Sequence, residues 1–394
     1  MSIRTLQRLA PLGALCAAGV LGSFPAMAQD SVLALQPEAI HLADGSVLEN
    51  ARVLVQDGRI TAVGEQVALP EGAVTLELDG HLSAGLVGLT DSTGLEQERI
   101  DDTRWLMPDA QVAMGFRRDH PDLARMSAGG VTTVVLTPGD RLLSGGRTAV
   151  VKPAGGVLLR SGAHLHLNFS SSMFVPIEQP TRRTGGFVFR NPVRYPNGFR
   201  SSYSGALALL EDLLTEPEGV FEKAASGDIA VLLQASSRAE VFRAASFAKR
   251  HNMRGVITAG SRCGEVAATL ADSGLGVVLA PFTPGQPFHL AESAKKLATA
   301  GVPFGFGLDA PSHAPDSLRL SAAACMRAGL DAATAWRALT ADAAALAGVS
   351  DRVGDVAVGL DADLVLWSGP PTELTSRVLV VWSDGKQVYR GDDL

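Results

Sequence analysis

The two ends of the chain alternate apolar and polar residues with the period of β-strands. Near the N-terminus, residues 51–55 and 60–63 flank Asp57-Gly58, a dipeptide typical of two-residue hairpin turns. A similar pattern returns near the C-terminus, over residues 362–389. Both ends are therefore predicted to be β-structure, and we expect them to form one discontinuous domain.

The middle of the chain has short, continuous apolar runs separated by segments with helical periodicity. The predicted helices cover residues 122–127 and 238–250. The apolar runs lie at 130–136, 229–234, 255–259, 276–280 and 302–309. Such strands, spaced by helices, are typical of a parallel sheet that helices cover. The pattern predicts an α/β fold, a TIM-like (β/α)8 barrel inserted in a small composite β-sandwich domain made from both termini. The site is expected at the C-terminal ends of the strands.

The first residues have the pattern of an export signal. Arg4 and Arg8 precede an apolar run over residues 9–24, and the A-x-A sequence at 26–28 is typical of a cleavage site. Soluble export to the periplasm is predicted, with no membrane association after cleavage, since no other apolar run reaches the length of a span. The predicted domains are a signal peptide (1–28), the N-terminal part of the sandwich (29–80), the barrel (81–349) and the C-terminal part of the sandwich (350–394).

Composition narrows the function classes without naming one. The chain has 394 residues, of which 46% are hydrophobic and 19% charged, an ordinary balance for a globular protein. Its net charge of -7 argues against nucleic-acid binding. Cys263 and Cys325 remain after signal cleavage, and both a disulfide and two partly buried thiols stay open.

One segment interrupts the alternation of strands and helices. Residues 181–203 are rich in glycine, proline and arginine. A loop of this length in a barrel serves as a lid or docking surface in some proteins and is merely solvated in others, and both interpretations stay open.

Several passages resemble the amidohydrolase superfamily over nearly all of the mature chain. Residues 54–64 (LVQDGRITAVG) and 82–92 (LSAGLVGLTDS) are similar to the "DGRI..VG" hairpin and the "PGLID.H.H" strand that open such enzymes. Residues 130–146 resemble "GVTTV..LPGS...GG", and residues 351–367 resemble "DRVGSLEVGKDADLVLW". The resemblance is closest to the imidazolonepropionase-like branch, many of whose members hydrolyse cyclic amides or dipeptides.

The resemblance implies a catalytic site with one or two divalent metal ions, which activate a water molecule and polarise the scissile carbonyl. In the family, ligands come from an H-x-H on the first strand, a lysine on the fourth, histidines on the fifth and sixth, and an aspartate on the eighth that is also the general base. The matching positions in this chain are Thr90 and Ser92 (first), His166 (fourth), Gln234 and Ser236 (fifth), Ala259 (sixth) and Asp309 (eighth).

Only Asp309 retains the family's residue type, and a catalytic zinc site needs about three protein ligands. The leading hypothesis is therefore an exported, non-catalytic protein with a degenerate metal site and no cofactor. It would act as the partner subunit of an intact amidohydrolase relative, self-associate, or bind a small molecule in the old pocket.

A relocated metal site is the competing hypothesis. His164 and His166 form an H-x-H. Asp309 and His313 lie four residues apart, at the end of the last predicted strand. Together they would hold zinc and hydrolyse C–N bonds in cyclic amides or peptide-like substrates. The resemblance therefore implies a hydrolase. The substituted ligand positions, however, predict that the chain by itself is inactive.

Overall fold

The computed structural model describes residues 32–95, 104–174, 182–184, 187–189, 202–260, 262–285 and 288–391. The predicted signal peptide lies outside these residues, so export stays a prediction. Within the described ranges, no helix combines the length and the apolar character that crossing a membrane requires.

Strands from both ends of the chain form one eight-stranded sheet, the terminal sheet. Its strands are β1 (Leu33–His41), β2 (Val47–Glu49), β3 (Arg52–Gln56), β4 (Arg59–Gly64), β5 (Val74–Ala84), β16 (Leu364–Trp367), β17 (Val378–Ser383) and β18 (Lys386–Arg390). The order is β18-β17-β16-β5-β1-β3-β4, with β2 paired to β1. Strand β5 joins the two ends, because it pairs with β1 on one side and places Ala84 opposite Leu364 of β16 on the other.

The hairpin predicted at Asp57-Gly58 is confirmed. It connects β3 to β4, and both turn residues have positive φ, 51° and 79°, as the favoured two-residue hairpin turns require. Asp384-Gly385 forms the equivalent turn between β17 and β18. The packing of these strands as a two-layer sandwich stays a prediction.

A second eight-stranded sheet forms a nearly closed barrel. Its strands are β6 (Leu86–Asp91), β7 (Val131–Leu136), β8 (Gly146–Lys152), β9 (Val157–Asn168), β12 (Ala230–Gln234), β13 (Gly255–Ala259), β14 (Gly276–Leu279) and β15 (Phe304–Phe306). They lie side by side in chain order. A parallel bridge from Leu89 to Gly307, just beyond β15, brings the two edges together.

The predicted regular alternation of strand and helix is wrong at one place. Strand β8 is antiparallel to both β7 and β9, while the other neighbours in the barrel are parallel. An antiparallel strand returns through a short turn and needs no crossover helix. Accordingly, the described residues between β7 and β9 contain a 3-10 turn at Ala154–Gly156 and no α-helix.

Helices cover the rest of the barrel. They are α1 (Asp122–Ala128), α2 (Tyr203–Thr215), α3 (Val220–Ala225), α4 (Arg238–Arg250), α5 (Ala267–Ser273), α6 (His289–Thr299), α7 (Ser317–Arg327), α8 (Ala332–Arg337) and α9 (Ala341–Ala347). The helices predicted at 122–127 and 238–250 are confirmed as α1 and α4. Ser237 begins α4 with a capping box, in which its hydroxyl accepts from the Glu240 N–H and the Glu240 carboxylate accepts from the Ser237 N–H.

Helix α9 closes the end of the barrel at which the parallel strands begin. Ala343 and Ala347 pack with Val87, Leu232 and Val278 in one buried cluster. The opposite end, where the parallel strands terminate, is the barrel mouth.

The segment predicted as a long loop contains a short pair of strands. Strands β10 (Arg182–Thr184) and β11 (Phe187–Phe189) are antiparallel to each other and join neither large sheet. Tyr203 already belongs to α2. The other residues from 181 to 201 lie outside the described ranges, so a lid or docking role stays a prediction.

The two cysteines are buried thiols. Cys263 and Cys325 are both free in the structure. Burial raises the pKa of the Cys263 thiol to about 11 and that of Cys325 to about 12. The alternative left open by the sequence, a single disulfide, is therefore not formed here.

A buried lysine joins the barrel to the terminal sheet. Lys152, the last residue of β8, has a fully buried side chain, and its Nζ donates to Asp361 (2.8 Å), Asp363 (3.0 Å) and Asp384 (2.5 Å). Arg352 adds a bond of 2.7 Å to Asp361. Burial disfavours the ammonium charge, yet Asp363 and the three hydrogen bonds outweigh burial and raise the pKa of Lys152. We call these five residues the Lys152 cluster.

Arg319 makes a second connection between the same two parts. Its buried guanidinium, on α7, donates to the carbonyl groups of Pro371, Glu373 and Ser376 and lies 4.6 Å from the centre of the Trp367 ring. These bonds attach the loop between β16 and β17 to a barrel helix.

Replacing Lys152 by methionine should destabilise the protein strongly. The substitution keeps much of the side-chain volume but leaves Asp361 and Asp363 buried without their ammonium partner, which typically costs about 3–5 kcal/mol. Urea unfolding followed by circular dichroism measures the change. Lys249→Met is the matched control, because Lys249 and its partner Asp272 are exposed, and we expect a change below about 0.5 kcal/mol. Equal losses in both variants would contradict a special role for the Lys152 cluster.

Candidate functional site

The barrel mouth contains a cavity of about 370 Å³. Five of the seven residues predicted for the site line it: Thr90, His166, Gln234, Ser236 and Asp309. Ser92 lies beside it, where its hydroxyl donates to the Ala310 carbonyl at 2.9 Å. Ala259 is the last residue of β13, next to the cavity-lining Thr258. The structure thus places the predicted positions at the ends of the first, fourth, fifth, sixth and eighth strands of the barrel.

Thr90 and Asp309 are bonded directly to each other across the point where the barrel closes. The Thr90 hydroxyl donates to the Asp309 carboxylate at 2.6 Å, and the Asp309 N–H donates to the Thr90 carbonyl at 2.8 Å. Both residues have positive φ, 61° and 51°, which is unusual for a β-branched threonine. A Cβ on Gly307 would lie 2.4 Å from the Thr90 hydroxyl oxygen, so glycine there leaves room for this bond.

His166 faces the cavity in a form that does not suit metal ligation. Its Nδ1 accepts from the Gly145 N–H at 3.2 Å, and burial lowers the pKa of the ring to about 4. The neutral ring therefore carries its proton on Nε2, since Nδ1 is the acceptor. A histidine ligates a metal through an unprotonated nitrogen, so His166 offers the cavity a donor instead.

The fifth and sixth strands contribute neutral polar groups. Gln234 accepts from the Thr258 hydroxyl at 2.7 Å, and the hydroxyl oxygens of Ser236 and Ser170 lie 3.2 Å apart. Glu240 accepts from the Ser236 N–H (3.0 Å) and from two neighbouring backbone N–H groups, which fixes the loop that carries Ser236. Burial opposes its charge, but these bonds prevail and lower the pKa of Glu240. From the sequence, Glu240 is predicted only as a residue of the helix over residues 238–250.

The relocated site is not assembled. His164 is directed toward the closed end of the barrel, where its Nε2 donates to the Leu346 carbonyl at 2.9 Å and its Nδ1 accepts from the Thr148 hydroxyl at 2.9 Å. The His313 N–H donates to the Asp309 carbonyl at 3.3 Å, but His313 lines a different cavity from the one that His166 and Asp309 line. Across the described ranges, no three His, Cys, Asp or Glu side chains are grouped so as to hold a metal ion. The residues present therefore do not fit the family's metal centre.

The comparisons with known proteins agree with this architecture. An amidohydrolase from Thermotoga maritima superposes with a TM-score of 0.76 at 23% sequence identity, covering 91% of this chain and 100% of that one. The chain has the amidohydrolase fold. Residues 231–389 match the family model described as "Amidohydrolase family". The comparison with curated proteins found no match.

Two other solved structures superpose over a similar extent at lower TM-scores. A Xaa-Pro dipeptidase with bound methionine in its active site has a TM-score of 0.58 at 14% identity, with 92% of this chain and 100% of that one covered. An ochratoxinase from A. niger has a TM-score of 0.56 at 15% identity, with coverages of 92% and 96%. The matched family region contains Gln234, Ser236, Ala259 and Asp309 but not the first-strand positions or His166.

We expect the protein to lose stability as the pH falls from about 6.5 to 4. Burial lowers the pKa of His164 and His166 to about 4, and His41 shifts equally. Between these pH values the three histidines are protonated in the unfolded chain but remain neutral in the folded protein. Asp91 acts oppositely, because burial raises its pKa to about 7 and the folded state keeps its proton. Three histidines outweigh one aspartate, so these four groups together give a net loss of stability on acidification, on the order of 1–3 kcal/mol per pH unit in the middle of the interval.

Urea midpoints measured at several pH values test this expectation. His164→Gln keeps a donor toward Leu346 but cannot titrate, so its slope should be lower by about 1.4 kcal/mol per pH unit. Stability that stays constant or increases on acidification would contradict the assignment of neutral, buried histidines.

Proposed function

We propose that the chain is an exported amidohydrolase-fold protein that does not hydrolyse its ligand and instead binds a small polar molecule at the barrel mouth. The bond between Thr90 and Asp309 carries this proposal. In the family that the sequence resembles, the first-strand position supplies a metal ligand and the eighth-strand aspartate serves as ligand and general base. Here the 2.6 Å hydrogen bond engages these two positions with each other.

The remaining cavity groups support binding through hydrogen bonds. The ring of His166 can donate, whereas Gln234, Ser236 and Thr258 can both donate and accept. A volume of about 370 Å³ lies at the lower end of the range of small-molecule sites. These groups orient a polar ligand, and none of them forms a nucleophile–base pair of the kind that acyl transfer requires.

The sequence supports a ligand class, a cellular location and a mode of action for this protein. The similarity of residues 130–146 and 351–367 to the imidazolonepropionase-like branch supports a ligand related to cyclic amides or dipeptides. The signal-peptide pattern supports a periplasmic location. A chain that binds such a molecule without cleaving it would work as the silent partner of an intact amidohydrolase relative, or as a self-associating binding protein.

Metal content and turnover test the proposal together. The mature protein, purified without chelators and then incubated with zinc, should contain no stoichiometric metal by elemental mass spectrometry. It should not cleave a cyclic amide or an Xaa-Pro dipeptide, and adding a chelator should change nothing. These outcomes follow because the described mouth offers too few ligands for a catalytic zinc site.

Asp309→Asn is the matched control for trace metal. If the metal content is the same in this variant as in the wild-type protein, the metal is not bound by the Asp309 carboxylate. Stoichiometric zinc that disappears in Asp309→Asn, together with chelator-sensitive hydrolysis by the wild-type chain, would overturn the proposal.

A further inference from the structure

The larger of the two cavities described here lies away from the barrel mouth. It has a volume of about 760 Å³ and separates the start of α7 from the loop that precedes β17. Phe282, Leu320, Leu379 and Tyr389 give it apolar walls. We call it the lateral cavity. Its size falls within the range of pockets that enclose small organic molecules.

Two buried polar atoms in the wall of the lateral cavity have no hydrogen-bond partner among the described residues. They are the hydroxyl oxygen of Ser317, whose residue is only 7% exposed, and Nδ1 of His313. Buried polar atoms without partners are rare in folded proteins, because leaving them unpaired is unfavourable. Both atoms belong to residues at or just before the start of α7, and this part of the wall is where the polar end of a ligand would lie.

The charges around the lateral cavity favour an anionic group. Arg377 lies at its exposed edge, and the Arg319 guanidinium forms part of the wall, where its described hydrogen bonds go to neutral carbonyls. Asp316, the acidic residue among those that line it, is exposed to solvent, and its charge offsets part of that of Arg319, which leaves Arg377 as the second cation. Helix α7 begins at Ser317, and the positive end of its dipole at this terminus also favours an anionic group.

We propose that the lateral cavity binds a small carboxylic acid with an apolar tail. The carboxylate accepts from the Ser317 hydroxyl and lies near Arg377, while the tail packs against Leu320 and Leu379. This site is independent of the barrel mouth, since no residue lines both cavities.

Titration calorimetry with octanoate tests the proposal. The wild-type protein should bind one octanoate per chain, and octylammonium, which has the opposite charge on the same tail, should bind at least about tenfold more weakly. Ser317→Ala should weaken octanoate binding about tenfold, which is typical of losing a hydrogen bond to a charged group. Arg377→Gln should reduce the preference for octanoate over octylammonium.

Filling the cavity provides a second test. Leu320→Trp places a larger side chain in the cavity and should abolish binding, and Leu374→Trp, at an exposed position of the rim, does the same with less effect on folding. Leu69→Trp, which is exposed elsewhere, is the matched control and should bind octanoate normally. The proposal is overturned if the wild-type protein fails to bind octanoate, if both filled variants bind it normally, or if octylammonium binds equally well.

Discussion

A fully buried ammonium group, that of Lys152, connects the barrel to the terminal sheet at the closed end of the barrel. Lys152 stands at the end of β8, whereas the carboxylates that surround it come from the C-terminal stretch and from the turn between β17 and β18. The buried charges of Lys152, Asp361 and Asp363 would each be strongly unfavourable in the interior alone, so the segments that carry them are stable there only together. Lys152 lies opposite Val157, the first residue of β9, and is therefore at the closed end of the barrel. This connection between the barrel and the terminal sheet is thus distant from the mouth, whose residues can change without disturbing it.

This arrangement explains why the most specific sequence similarity says little about chemistry. Asp361 and Asp363 belong to residues 351–367, whose sequence resembles an amidohydrolase pattern, and both carboxylates bind Lys152. In this chain the stretch therefore serves to attach the terminal sheet to the barrel, and its residues lie away from the mouth cavity. The fold was therefore predictable from the ends of the chain. Whether the site can bind a metal had to be inferred from single positions at the mouth.

Where the sequence was insufficient, the reason is geometrical. The sequence gives no strand prediction over β8, because only residues 149–151 of it form a continuous apolar run, although every residue of β8 except Arg147 is buried. His164 and His166 do share a face of β9, as their spacing predicts. However, residues two apart on a strand lie about 6.6 Å apart along it, and in a narrow barrel this distance separates the closed end from the mouth. Spacing identifies the face of a strand but not the depth within a barrel.

The pairing of β5 with β16 also sets the order in which the protein can be completed during synthesis. Ala84 and Leu364 are partners in the terminal sheet although almost the whole barrel lies between them in the chain. A ribosome therefore releases the strands of the barrel while one edge of β5 still lacks its neighbour. Contacts so distant in sequence form slowly, and an unpaired strand edge invites association with other chains. The nascent protein thus passes through a stage in which its N-terminal strands need protection, whatever the finished molecule binds.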